Sequence, residues 1–101
     1  MTSMPSQAFL QSAIKTQFQI EGGSGQLVPT TLAEVREGIA MSARHTCYAA
    51  VFELPPEVTA AQGTYRVRDP HGTSWELFMT PIAPTQVGQH RLEAVFHYEL
   101  A

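Results

Sequence analysis

The sequence predicts a mainly β fold, a small six-stranded antiparallel barrel or sandwich with a short N-terminal helix. Two patterns predict it. From residue 16 to residue 100, apolar residues recur at alternate positions in short runs, and Gly, Pro or polar clusters punctuate the runs. Helical spacing occurs once, near the N-terminus. A third observation sets the scale. The chain has 101 residues, 44% hydrophobic and 15% charged, enough for one modest core in a single domain spanning 1–101.

Residues 1–4 read as a loose tail. "PSQAFLQSAIK" places Phe9, Leu10, Ala13 and Ile14 at helical spacing, with Pro5 suited to a first turn, which predicts a helix over 5–14. Such a helix would lie as a lid over an open end of the sheet. The β-domain, 16–100, begins with "TQFQI", where Phe18 and Ile20 share a face, and "EGGSGQ" then turns the chain. In "LVPTTLAEVRE", Pro29 cannot donate to a ladder, so the first half of that strand belongs at an edge or a bulge. A loop near 38–44 follows. "HTCYAAVFEL" is apolar on both faces: Tyr48, Ala50, Phe52 and Leu54 on one, Cys47, Ala49 and Val51 on the other. A strand of that kind is covered twice or meets another subunit. "PPEVTAAQG" loops onward to the last three strands, "TYRVRD", "TSWELFMTPI" and "RLEAVFHYEL".

The stretch "TYRVRDPHGTSWELF" gathers an acid, a histidine, hydroxyls and two arginines, yet register explains it as a hairpin. Residues opposed in a hairpin share a face, so Val67 should face Trp75 and Arg66 should face Glu76. A symmetric four-residue turn over 69–72 would scramble those faces. One extra residue restores them: a type I turn followed by a left-handed residue and a bulge. That turn favours Asp first, Pro second and Gly at the left-handed position, as in Asp69, Pro70 and Gly72. His71 has no structural reason in this scheme and is retained as a candidate ligand contact.

Charge and composition exclude several functions. The net charge of −3 and the scattering of one lysine and five arginines leave no basic stripe of the kind that phosphate neutralisation demands, so no nucleic-acid partner is expected. No apolar run approaches the ~18 residues of a membrane helix, and the N-terminus lacks a basic start with a long apolar stretch, so neither a membrane partner nor secretion is expected. Cys47 is the sole cysteine, which rules out an intrachain disulfide and makes a cytoplasmic location the expectation.

Candidate chemistry is thin. His45 with Cys47, and His97 with Glu99, each place two ligand types on one strand face, but no CxxC, HExxH or close histidine pair accompanies them. Ser74 lies in no GxSxG elbow, and "GGSG" at 22–25 precedes no lysine and no helix pattern. No catalytic, cofactor-binding or metal-binding residue is therefore assigned, and no cofactor is expected. Two residues break the pattern. Phe78 stands on the polar face of its strand with Glu76 and Thr80, and Val95 interrupts Arg91, Glu93, His97 and Glu99. Phe78 and Val95 would meet the N-terminal helix or another subunit. With Val51 they form the candidate interaction surface.

Gly63, Tyr65, Pro70, Gly72, Leu77, Phe78, Pro81, Ile82, Glu93, Ala94, Val95 and Phe96, with "LAEV" at 32–35 and Phe52 and Leu54, carry a resemblance to a family of small uncharacterised bacterial proteins. The family looks like a neighbour of tail-collar-type proteins of phage-like origin. The resemblance implies a part in a tail-like or contractile assembly, and it transfers no activity and no catalytic residue. Where the family often has Asn after "AVF", this chain has His97. The expectation is a non-catalytic protein-interaction or assembly domain, with other protein subunits or a second copy as partner. The alternative is a small-ligand-binding barrel or minor enzyme, which needs an interior with room for a ligand.

Overall fold

Ser6 starts the helix. In a computed structural model that describes residues 4–22, 25–39, 43–56 and 58–99, its side chain accepts a hydrogen bond from the Phe9 N–H at 3.1 Å and caps α1, Gln7–Ser12. The helix is shorter than the expected 5–14. Pro5 lies before the cap rather than in the first turn, and the chain leaves the helix at Ala13. Within the sequence-derived elements, residues 1–3 of the tail, 23–24 of the glycine-rich turn, 40–42 of the 38–44 loop, 57 of the loop after Leu54 and 100–101 at the end of the last strand and of the domain lie outside the described residues.

Six strands follow: β1 Gln17–Glu21, β2 Leu27–Glu37, β3 His45–Glu53, β4 Gly63–Arg68, β5 Ser74–Ile82 and β6 Arg91–Glu99. They close into a barrel in the order β1-β2-β3-β6-β5-β4, every pairing antiparallel. Closure comes from β1 against β4, where Ile20 faces Val67. The barrel, rather than a sandwich, is thus the architecture. Its interior is filled by Phe18, Leu32, Phe52, Val67, Met79 and Leu92, each buried, together with Leu10 of the helix. Phe9 packs on Phe18 and Trp75 at ring-centroid distances of 6.5 and 5.6 Å, so α1 lids one end of the barrel.

Pro29 sits where its missing donor does no harm. The β2–β3 ladder begins at Thr31, so residues 27–30 pair with β1 alone and form a local edge. The bulge in β2 lies further on, between Leu32 and Glu34. It bends the strand as it passes from β1 to β3, which helps a six-stranded sheet curl shut.

The 64–78 hairpin has the expected register: Val67 faces Trp75 and Arg66 faces Glu76. The Gly72 N–H donates to the Asp69 carbonyl at 3.1 Å, and Gly72 adopts φ +92°. Asp69 does more than begin the turn. Its Oδ1 accepts from the N–H groups of His71 and Thr73, both at 2.9 Å, and it is buried. A Cβ on Gly72 would meet nothing within 4 Å, so the cost of Gly72→Ala is purely conformational. That substitution is expected to destabilise the fold by about 1 kcal/mol. A thermal melt should show the midpoint lowered by roughly 4–8 °C, and an unchanged midpoint would refute the left-handed bulge.

Candidate functional site

The doubly apolar strand β3 is covered from within the chain. Val51 and Ala49 point outward and are nonetheless buried. Val51 lies between Glu34 of β2 and Glu93 of β6 in the ladders, and Ala49 lies between Arg36 and Val95. The Arg36 guanidinium bonds Glu34 at 3.0 Å and reaches Glu93 at 3.4 Å, so it spans β3 above these small residues. Its hydrogen bond holds the Glu34 carboxyl below the usual carboxylate range. Val51, expected on the interaction surface, is therefore corrected to a residue roofed by an ion-paired arginine. The long aliphatic stem of arginine suits that use.

Phe78 and Val95 remain in the open, 57% and 59% exposed. Neither is covered by the helix, which packs at the lidded end against Phe18 and Trp75. Their position follows from the ladder. The pairing of β5 with β6 runs from Ile82 and Arg91 to Met79 and Ala94, where it ends. One more step in the same register would oppose Phe78 to Val95. β4 accompanies β5 back to Ser74, and β3 accompanies β6 out to Glu99. The sheet therefore forks beyond Met79 and Ala94, and the two apolar residues flank the vertex on the outer face.

Met4 and Pro5 lie at the fork. A groove of about 320 Å³ is lined by Met4, Leu77, Phe78, Val95 and Phe96, with Glu76, Thr80 and Glu93 on its lips. Met4 is half-exposed, whereas Pro5 is buried and its carbonyl accepts a hydrogen bond from the Tyr48 hydroxyl at 2.6 Å. Burial and the Tyr98 hydroxyl, 3.4 Å away, push the Tyr48 phenol above its ordinary value. Glu76 meets Arg66 across the hairpin at 3.3 Å, an exposed pair worth no more than a few tenths of a kcal/mol. Arg66 and Arg36 approach their carboxylates from strands outside the fork, and neither lines the groove.

Of the other sequence candidates, His71 stands apart and His45, Cys47 and His97 come together. His71 is exposed at the hairpin tip, and the cavity beside that turn is lined by Asp69 and Pro70 without it. The rings of His45 and His97 lie 5.5 Å apart, and Cys47, partly buried, faces His97 in the ladder. Among the described residues, no group of three or more His, Cys, Asp or Glu is placed to hold a metal ion. The barrel interior is occupied by side chains. A cavity of about 370 Å³ opens at the mouth opposite the helix, between Ile20, Val28, Leu54, Val58, Tyr65 and Leu92. Among the described residues, no helix is long and apolar enough to cross a membrane. Sequence reasoning found Phe78 and Val95 but missed Met4 and the fork. A period-two pattern reports faces, whereas the fork is a matter of where a ladder stops.

Residues 5–96 match a family model described as "Domain of unknown function (DUF6916)". Neither the curated proteins nor the solved structures give a match to the chain.

Proposed function

This chain belongs to the family of that domain of unknown function, and from that premise we propose that it is a non-catalytic interaction or assembly domain. It meets other protein through the Phe78–Val95 face. One observation supports the reading: two large apolar residues stand outward at the place where the β5–β6 ladder ends. Exposed apolar side chains concentrated beside unpaired strand edges are what a contact surface offers and what an isolated monomer avoids. The finer form of the reading makes the chain a bacterial, cytoplasmic accessory of a phage-tail-like particle. The bacterial and phage-tail-like parts rest on the sequence resemblance, and the cytoplasmic part on the single Cys47 and the composition of the N-terminus.

The double substitution Phe78→Ser with Val95→Thr tests the reading. Because both side chains are largely exposed, the melting temperature is expected to stay within about 2–4 °C, in keeping with surface changes of about ±0.5 kcal/mol. Light scattering and co-purification should show a second copy or a partner with the unaltered chain and neither with the variant. A strictly monomeric unaltered chain without a partner overturns the reading. So does a variant that melts many degrees lower, because the two residues would then serve the fold.

A further inference from the structure

We propose that the fork between β5 and β6 takes up an extended polypeptide segment of another protein as an added strand. The segment pairs with the edge of β5 at Ser74–Phe78 and carries an apolar residue two positions from a lysine or arginine. This rests on the contact reading above and names its partner.

The backbone carries the first part. β5 is hydrogen-bonded to β4 from Ser74 to Met79, but its other edge is paired with β6 only from Met79 to Ile82. Pro81 has no N–H, so its pair with Leu92 is of the non-hydrogen-bonded kind, and the alternation makes Val95 N–H to the Phe78 carbonyl the last bond of the ladder. Among the described residues, no pairing joins Ser74–Leu77 to β6, and no backbone bond joins them to Met4–Ser6. An antiparallel strand offers alternate N–H and C=O groups to each side. The free edge is therefore the N–H and C=O of Ser74 and Glu76 with the N–H of Phe78, a short row at strand spacing, and an extended backbone matches it in a way that a helix cannot. No proline or glycine blunts this stretch, Ser-Trp-Glu-Leu-Phe.

The side chains carry the second part. Glu76 and Phe78 point outward from the same edge, two residues apart, while Trp75 and Leu77 are buried. A strand laid alongside puts its own outward residues directly opposite them. Phe78, with Val95 and Met4 beside it, calls for an apolar residue. Glu76 and Glu93 are the charged groups lining the groove; each is reached from outside it through one oxygen, by Arg66 at 3.3 Å and Arg36 at 3.4 Å, and the second oxygen of each calls for a cation. The required outward pattern is apolar-x-basic, readable in either strand direction. A second copy offers no such free segment: the one hydrophobic residue of the sequence two positions from a lysine or arginine is Ala13 before Lys15, and Ala13 is buried in the core.

The test uses a surface-displayed library of random ten-residue peptides, selected on the whole protein and counter-selected on Phe78→Asp. Enriched peptides are expected to show the apolar-x-basic pattern and to shift the amide resonances of Ser74–Phe78. Glu76→Lys, confirmed folded by circular dichroism, should weaken binding at least about tenfold, because it sets like charges opposite each other. A synthetic copy of the best peptide, N-methylated at alternate residues on each of its two edges in turn, should lose binding for one of the two sets. Enrichment at helical spacing, or binding that tolerates both methylated sets, overturns strand addition and leaves the Phe78–Val95 contact standing. Acidic enriched sequences overturn the charge assignment. No peptide dependent on Phe78 overturns the segment-binding proposal, and the contact reading is then decided separately by the double variant. Protection of the Ser74–Phe78 amides that grows with protein concentration, without peptide, gives the edge to a second copy and overturns the choice of partner.

Discussion

Removal of residues 92–101 is expected to leave a chain that does not fold. β6 is the sixth strand of a closed barrel and lies between β3 and β5, paired with β3 from Arg91 to Glu99 and with β5 from Arg91 to Ala94. Taking it away strips β3 of its neighbour along nearly its whole length and opens the barrel between its fully buried members. The deleted inward residues Leu92, Ala94 and Phe96 are all buried, and Phe96 stacks on Tyr48 at 4.9 Å. Burial of Leu92 and Phe96 alone is worth about 1.5–3 kcal/mol each. The newly exposed walls, Tyr48, Ala50, Phe52 and Met79, lose cover as well. Against a domain stability of about 5–15 kcal/mol, these losses exceed what a chain of this size holds in reserve. Circular dichroism should show loss of the β signal and the melt should lose its cooperative step. A truncated chain with the full-length spectrum would mean that five strands suffice.

What the sequence made legible here was local or periodic. The 64–78 hairpin could be read down to its residue pairs, because turn chemistry and face alternation must agree within fifteen residues. The outward Phe78 and Val95 were visible as breaks in alternation. Closure was not legible, because it depends on β1 meeting β4, and nothing in either segment marks the other as its neighbour. The burial of Val51 was equally hidden. It depends on Arg36 reaching across β3 to Glu93, a contact between residues 57 positions apart whose alignment is set by the bulge after Leu32. The helix start has its own signal: Ser6 before an amphipathic run is a favoured cap, and a start at Pro5 sets the boundary two residues too early. The fork belongs to the same class as closure. Its two lips are in the sequence, but the groove between them is completed by Met4, with Pro5 held by Tyr48, and these arrive from the other end of the chain.

Tyr48→Ala is expected to be the most damaging single substitution near the fork. The ring is almost fully buried, stacks on Phe96 and meets Tyr98 edge-on at 6.1 Å. Its hydroxyl holds the carbonyl of buried Pro5, and so the segment that leads into α1. Truncation leaves a large cavity together with an acceptor that has lost this donor, a loss of about 3–5 kcal/mol. At about 4–8 °C per kcal/mol, the melting temperature should fall by roughly 15 °C or more. Tyr48→Phe separates the two contributions, because it keeps the ring and removes the donor. Its expected cost is about 1–2 kcal/mol, the penalty of an unsatisfied buried carbonyl. The same hydroxyl makes a pH prediction. Its folded pKa is raised, so the fold favours the neutral phenol. The associated stability is fully present below the ordinary tyrosine value of about 10 and is lost as pH climbs from there toward the raised folded value. Denaturant midpoints measured from pH 8 to 11 should therefore fall more steeply for the unaltered chain than for Tyr48→Phe. Parallel curves would mean that neither burial nor Tyr98 raises the phenol. A Phe variant as unstable as the Ala variant would mean that the hydrogen bond outweighs the ring in fastening the N-terminal segment to the barrel.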